Sequence, residues 1–537
     1  MYISDLLQDS YKTWADHSEV IIDAPTGSGK TSFILKNLLP YALKNNLEIL
    51  YICNREILYK QLASELCEYY EIPYELLDNY NFCEFPGITL TTYQTLQAIV
   101  RGKLFNQIPF YYYVVADEIH YIAADAEFNS EIDLFWKWWN QSCSCNVKIM
   151  ISATLDDVYP YIASFSWQEY NFWPPLDNKY ESKYERIFFR EPTHVMMRLD
   201  RKVELLYHYK IPRDNWTHPI YVFDDESDII HAINDFAFDG KWLIFQSNKK
   251  KAQAMKKELI PSCDFLSAET KDSDVMKEII DNQTFSKQIL ITTKVLDNGV
   301  SLHDRNIKNI VLNTISKTDF LQMLGRRRKC TEDEDVRLFI PRSSSSYFAN
   351  LLIHSVYPAL EILEAKNPLS LIFSDEKYLC YLTRFFIYNN GEIHRSEFAY
   401  ESIKRKRAFC LSMKNHLEDD KNYFVKEQLR WLGKSEDSLS SIIFLRDVYK
   451  KEALFKFTNF LKDSANCWLN KEDQEAFREE VKKFFLEICP ELMKQKSRLP
   501  GLKVINDNFK KLAIDFYITS KSGKKKGEKT LWKIITH

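Results

Sequence analysis

The sequence predicts an α/β fold: two parallel-sheet units in tandem, then a mostly helical C-terminal region ending in a helix and hairpin of winged-helix outline. Three observations predict it. Near-continuous apolar runs alternate with helical stretches over the first 155 residues. The alternation returns after about residue 215, and from about residue 345 the texture changes to long helical patterns. Strands buried on both faces of a parallel sheet read as such runs, and their alternation with helices marks an α/β layered domain.

Taken in order, the first unit offers "EVIIDA" (19–24), "EILYIC" (48–53), "ITLTT" (88–92), "YYYVVADE" (111–118) and "KIMISAT" (148–154) as strands, with helices such as "REILYKQLASELCEYY" between them. Residues 156–215 are irregular and aromatic-rich, and read as a connection with added strands. The second unit offers "KWLIFQ" (241–246), "QILITT" (288–293), "NIVLNT" (309–314) and "VRLFIP" (336–341). Further on, Phe477, Val481, Phe484, Phe485 and Ile488 fall on one face of a helical pattern, a core-packing stripe. "KVINDNFKKLAI" then reads as a helix, and "DFYIT", "KSGKKKGEK" and "TLWKIITH" as a hairpin with a basic tip. Residues 501–537 hold nine lysines against three acids, the balance of a nucleic-acid-binding wing. A helix and hairpin that only pack on the body are the plain alternative.

The 537 residues suffice for three domains or two large ones. Apolar residues at 45% and charged residues at 27% describe an ordinary soluble protein. The net charge of −3 conceals basic clusters at 249–251, 326–329, 404–407 and 524–526, so it does not exclude a nucleic-acid partner. The eleven cysteines form no C-x-x-C, and no histidine pair stands at ligand spacing, so a zinc site is not expected. No apolar run is long enough to span a membrane and no signal core opens the chain, so a cytoplasmic protein with no membrane partner is expected.

Glycine is scarce, twelve in all, about a third of what ~7% usage would give. Two of the twelve, Gly27 and Gly29, lie in "DAPTGSGKTS" (23–32), between a predicted strand and a helical pattern. That is the context of a phosphate-binding loop. Backbone N–H groups over Thr26, Gly27, Ser28 and Gly29 would cradle a phosphate, Lys30 would reach the β- and γ-oxygens of ATP, and Thr31 would hold Mg²⁺. Ala24 stands where the general pattern has glycine. Asp117 and Glu118 end the strand "YYYVVADEIH" 86 residues beyond Thr31. A strand end places them beside the loop, one carboxylate for Mg²⁺ and one to polarise the attacking water.

Asp117-Glu118-Ile119-His120 resembles the DExH signature of superfamily 2 helicases. The other motifs follow in that family's order. "YICNREILYKQL" (51–62) resembles motif Ia, "TLTTYQTL" (89–96) motif Ib, "SAT" (152–154) motif III and "LIFQSNKK" (243–250) motif IV. "ITTKVLDNGVSL" (291–302) resembles motif V and "QMLGRRRK" (322–329) motif VI. The resemblance covers residues 1–345. It implies two RecA-like domains at 1–160 and 216–345, joined by 161–215 and followed by an α-rich accessory region at 346–537 with a possible winged helix near 470–537.

The resemblance also implies roles. Gln8, 22 residues before Lys30, stands where many of these enzymes read adenine. Gln322 and Arg326 would face the γ-phosphate from the second domain. Arg55, Thr92, Ser247 and Thr293 would contact a sugar–phosphate chain, and Ser152 and Thr154 would couple the two sites. Motif VI often carries a second arginine where this chain has Lys329. Lysine lacks arginine's planar fork, so either Arg328 supplies the second cationic finger or Lys329 does so less well. Arg327 is expected to meet only solvent.

Two functions fit these motifs: an ATP-hydrolysing helicase or translocase, and an ATP-driven nucleic-acid sensor or assembly switch that recruits a protein partner through the C-terminal region. A small-molecule NTPase would leave motifs V and VI unexplained. No local motif reports 2′-OH contacts, and DNA is favoured over RNA only as an expectation.

Overall fold

The computed structural model describes the chain outside residues 1, 55, 74–81, 103, 105–107, 144, 156–157, 159–188, 191–192, 198–204, 213–216, 237, 271–272, 298–299, 330–335, 390–391, 494–497, 522–529 and 537. By internal contacts it forms two units, residues 1–220 with 225–441, and residues 221–224 with 442–537.

The first sheet is built from β1 (Ser18–Asp23), β2 (Ile49–Cys53), β3 (Cys83–Phe85), β4 (Ile88–Thr92), β5 (Tyr111–Asp117), β6 (Cys145–Ser152), β7 (Phe189–Arg190), β8 (Thr193–Met197) and β9 (Leu205–Lys210). Its order is β3-β4-β2-β5-β6-β1-β9-β8-β7. From β4 through β9 every neighbouring pair is parallel. The strands forecast by the apolar runs are all present, within about three residues at each end. The parallel run aligns the C-terminal ends of β1, β5 and β6 on one edge, with Asp23 opposite Ser152 and Asp117 opposite Ile151.

Both faces of this sheet are covered. One is packed by Ile3, Tyr11, Trp14, Phe33, Leu38 and Leu62. The other carries Tyr93, Tyr121, Phe135, Trp138 and Trp139. Pro40 lacks a donor N–H, and a wider helical turn over Ile34–Leu38 precedes it in the helix that starts at Lys30.

β10 (Ile220–Phe223) leads to the second sheet, with β11 (Lys241–Gln246), β12 (Cys263–Leu266), β13 (Ile289–Thr292), β14 (Ile307–Asn313) and β15 (Arg337–Pro341). Its parallel neighbours run β12-β13-β11-β14-β15. β12 was not expected from the sequence. It is four residues long with one fully buried side chain, too short for a periodic signal.

Helices from Ser345 onward continue the first unit, interrupted by a hairpin of β16 (Phe386–Asn389) and β17 (Glu392–Arg395). The long helix Glu397–Asp419 docks on the first sheet's helices through Asp133. Its carboxylate accepts from Ser396 Oγ (2.8 Å), Glu397 N–H (2.7 Å) and Phe398 N–H (3.3 Å). Glu127 reinforces the contact, pairing with Lys406 at 2.8 Å and accepting Arg384 Nε on its carbonyl at 2.9 Å. The same helical region reaches the second sheet, where Gln428 Nε2 donates to Pro341 O (2.9 Å) and Trp431 meets Phe320 edge-on at 5.4 Å.

Burial pushes the Asp133 carboxyl up to about 6, and its three donors only partly offset this. The folded chain then holds a proton that the unfolded chain releases. The stability contributed by that proton is present at acid pH and lost as pH rises through about 6. Asparagine does not titrate there. The stability advantage of wild type over Asp133→Asn is therefore expected to fall by on the order of 2 kcal/mol between about pH 4 and pH 7. Urea unfolding at the two pH values measures it. A pH-independent difference would mean that Asp133 keeps an ordinary carboxylate affinity.

The second unit contains β18 (Ile443–Phe444), which pairs in parallel with β10 through Tyr221↔Ile443. It also holds β19 (Trp468–Leu469), β20 (Phe516–Lys521) and β21 (Leu531–Thr536), an antiparallel sheet in the order β19-β21-β20. Helices Leu445–Asp463, Lys471–Ile488 and Leu502–Lys511 complete the winged-helix connectivity. Phe477, Val481, Phe484 and Phe485 are buried on it as their spacing predicts, with Phe457 stacked on Phe484 at 3.9 Å. The basic hairpin tip lies outside the described residues.

Candidate nucleotide site

The phosphate loop follows β1 directly and opens the helix at Lys30. Gly27 and Gly29 have φ of +84° and +82°, left-handed backbone that a β-carbon disfavours. Ser28 braces the loop, its hydroxyl donating to Pro25 O at 2.7 Å. The N-terminal segment lies along it, with Ile3 N–H donating to Ser28 O at 2.9 Å.

Lys30 Nζ is 2.8 Å from Glu118 Oε1, and both side chains are largely buried. Glu118 itself has φ +49°, left-handed strain of the kind that gathers at functional sites. Its N–H donates to Asp117 Oδ1 at 2.9 Å. His120 Nδ1 stands 3.1 Å from Glu118 Oε2 and 2.9 Å from Ser152 Oγ. Ser152 Oγ in turn accepts Thr154 N–H at 3.1 Å. The DEIH stretch and the "SAT" stretch thus share one buried hydrogen-bonded chain.

The two carboxylates are driven apart in proton affinity. Burial and the neighbouring Glu118 charge push Asp117 up to about 6, although Lys30 and the Tyr51 hydroxyl oppose this. Burial acts on Glu118 too, but Lys30 and His120 outweigh it and hold Glu118 well below the usual carboxylate range. Glu118 is therefore the more acidic member of the pair.

Tyr51 Oη donates to Asp117 Oδ2 at 2.6 Å and also meets the Thr31 side chain. Tyr93 Oη holds the Asp117 carbonyl at 2.9 Å. Thr31 and Asp117 are thereby gathered about one phenol and offer hard oxygen donors, the ligand type Mg²⁺ takes. The left-handed glycines and the buried carboxylate suit a nucleotide phosphate with its cation.

The stretch Gly325–Lys329 of the second sheet packs on this loop. Gly325 packs so tightly on Thr26 that a β-carbon there would overlap Thr26 Oγ1. A β-carbon on Gly27 would come 2.9 Å from Arg328 Nη1. Arg328 Nε donates to Ser301 Oγ at 2.9 Å. Burial and neighbouring Arg326 lower its proton affinity to about 10, leaving it cationic at neutral pH. Arg326 Nη2 donates to Gln322 Oε1 at 2.8 Å, and both residues are buried. Lys329 is exposed at the pocket's margin.

Arg327 corrects an expectation. It is 1% exposed, with Nη1 donating to Arg328 O at 2.6 Å. Residue 327 forms a parallel bridge with Leu302, and its side chain is buried away from solvent.

The remaining candidates are less convergent. Tyr2 lines the pocket, and Gln8 is exposed and does not. Thr92 caps the helix Tyr93–Arg101, accepting Thr95 N–H at 3.1 Å. Thr293 is buried with its N–H on Leu266 O, and Ser247 is exposed. Arg55 lies outside the described residues. Sequence reasoning missed Tyr51, Tyr2, Ser301 and the contacts of His120. Tyr51 carried one signal: a phenol inside a fully buried strand needs a polar partner.

A family model described as "Type III restriction enzyme, res subunit" matches residues 3–157. Solved structures with a similar chain course include S. cerevisiae Dbp5 bound to RNA and ADP BeF3, at 13% identity, TM-score 0.38, covering 76% of this chain and 98% of that one. They also include the Escherichia coli DEAH/RHA helicase HrpB, at 12% identity, TM-score 0.41, covering 75% of this chain and 50% of that one. Mss116p bound to ssRNA and AMP-PNP is similar at 16% identity, TM-score 0.41, covering 80% and 88%. At these scores the structural likenesses carry no argument about substrate. The family match takes in the phosphate-loop, DEIH and SAT stretches of the first sheet and ends at residue 157.

Proposed function

We propose that the chain is a nucleic-acid-dependent ATPase of helicase or translocase type, which hydrolyses ATP between its two parallel sheets and turns cleft closure into movement along a strand. One observation carries this reading. Motif VI of the second sheet stands directly on the phosphate loop of the first, with Gly325 against Thr26 and Arg328 against Gly27. A nucleotide held by the loop would thus meet cations from both sheets, and its hydrolysis would change the contact between them.

The geometry supports a set of roles. The amides of the phosphate loop and Lys30 would bind the phosphates. Thr31 and Asp117 would hold Mg²⁺, which supplies charge neutralisation at the phosphates when bound. Lys30 now pairs with Glu118; a phosphate would draw it away and free Glu118 to accept the proton of the attacking water. His120 would hold that carboxylate and pass its position to Ser152 and Thr154. Gln322, Arg326 and Arg328 would meet the charge that develops on the γ-phosphate.

The test is ATP turnover by the full chain against a panel of single- and double-stranded DNA and RNA. A several-fold or larger stimulation by at least one nucleic acid is expected, and it should weaken steeply with salt because phosphate contacts dominate such binding. DNA is the expected stimulator, and the RNA arms set the alternative against it. Turnover indifferent to every nucleic acid would overturn the reading. Stimulated turnover without unwinding of a tailed duplex would favour the ATP-driven switch.

A further inference from the structure

The winged unit offers two faces to a nucleic acid. The helix Leu502–Lys511 exposes Lys503, Lys510 and Lys511, but Val504 and Asp507 stand among them. Asn506 is engaged with its own sheet, donating to Ile518 O at 2.9 Å and accepting Ile518 N–H at 2.8 Å. This helix is anchored to the sheet and carries an acid within its exposed surface, which a phosphate chain would be repelled by.

The sheet is different. Ile518 and Ile534 bury one face against the helices. Strand alternation sends their neighbours Thr519 and Lys533 to the other. The register sets Trp468 opposite Lys533, Lys533 opposite Thr519, and Lys521 opposite Leu531. None of these outward positions is acidic. Trp468 is 46% exposed. Lys533 Nζ lies 5.7 Å and Lys521 Nζ 6.0 Å from its ring centroid. A large indole left in solvent with two ammonium groups over it is charge-complementary to a base and its flanking phosphates.

We propose that this outward face, centred on Trp468 with Lys521 and Lys533, seats an unpaired base of a single-stranded nucleic acid. The base would stack on the indole, and the two lysines would swing to its phosphates. A base paired inside a duplex offers no free π-face, so the surface selects single strands and frayed ends over blunt duplex. The proposal rests on the nucleic-acid reading above and adds which face of the winged unit does the holding.

The experiment uses the full chain and labelled single strands of matched sequence, one DNA and one RNA, with a blunt duplex as control. Binding is measured by anisotropy over a salt series. Trp468→Ala is expected to weaken single-strand binding about tenfold or more, as loss of one stacking platform does. Trp468→Phe, which keeps a π-face, should stay within about threefold of wild type on the same stacking argument. Lys521→Ala and Lys533→Ala should each make the salt slope shallower by about 0.7, the share of one phosphate contact on a single strand. ATP turnover without nucleic acid should not change in any variant, which guards against misfolding. Whichever of the DNA and RNA arms shows these losses identifies the source of the strand. Wild-type affinity in Trp468→Ala and both lysine variants would overturn the proposal and leave the ATPase reading intact. So would an equal loss in Trp468→Phe and Trp468→Ala, or an equal loss on blunt duplex. A wild-type chain that binds none of the nucleic acids would overturn both.

Discussion

Replacing Arg326 by alanine is expected to lower turnover at saturating ATP and saturating strand by about 10³-fold or more, the scale of an arginine finger in phosphoryl transfer. Arg326 is buried beside Gln322 and pre-positioned by a 2.8 Å hydrogen bond, so its guanidinium needs little reorganisation to meet developing charge. Arg328→Ala should approach that loss. Arg328 is the cation that stands on Gly27, and Ser301 fixes its direction. Lys329→Ala should be mild, because Lys329 is exposed at the pocket's edge. Arg327→Ala should reduce folding stability as well as turnover, since its side chain is fully enclosed. ATP binding is measured separately, so that loss of chemistry is distinguished from loss of affinity. Wild-type turnover by Arg326→Ala would remove the second sheet from the reaction.

Removing Lys30 is expected to abolish hydrolysis, and Glu118→Gln to slow it by about 10²- to 10⁴-fold with ATP still bound, the usual scale for loss of a general base. The two variants separate the roles of one ion pair. Lys30→Ala deletes the charge that would neutralise phosphate and should raise the dissociation constant for ATP sharply. Glu118→Gln keeps shape and keeps a hydrogen-bond acceptor beside Lys30 and His120, but it can no longer take a proton from water. Circular dichroism checks that each variant is folded. Near-normal turnover by Glu118→Gln would mean that another group accepts the proton.

The strands of both sheets and the glycine turn after the first of them were legible in the chain. The reason is local. A strand buried on both faces must be apolar along its length, and a loop that bends around a phosphate needs glycine where φ is positive, as it is at Gly27 and Gly29. Asp117 and Glu118 were readable because a strand's end fixes where its last residues stand. Short elements were not readable: Cys263–Leu266 and the hairpin Phe386–Arg395 are too brief for a period to emerge.

Only the tertiary structure decided which residues share the site. Tyr51 meets Asp117 across 66 positions, Lys30 meets Glu118 across 88, and Ser396 meets Asp133 across 263. No local pattern encodes such pairings. They depend on which strands become neighbours and on how one element closes upon another. The same holds for "GRRRK". By composition its four cations are interchangeable, and the sequence alone left Arg328 and Lys329 as rivals. Packing separates them: the bridge between Leu302 and Arg327 turns Arg327 inward, Gly325 allows contact with Thr26, and Arg328 is left against Gly27 while Lys329 faces solvent. The sequence by itself determined the fold class and the left-handed turn at Gly27 and Gly29, because backbone sterics and burial act over a few neighbouring residues. The cationic arrangement over that loop was decided by the docking of two sheets, which no short stretch of chain contains.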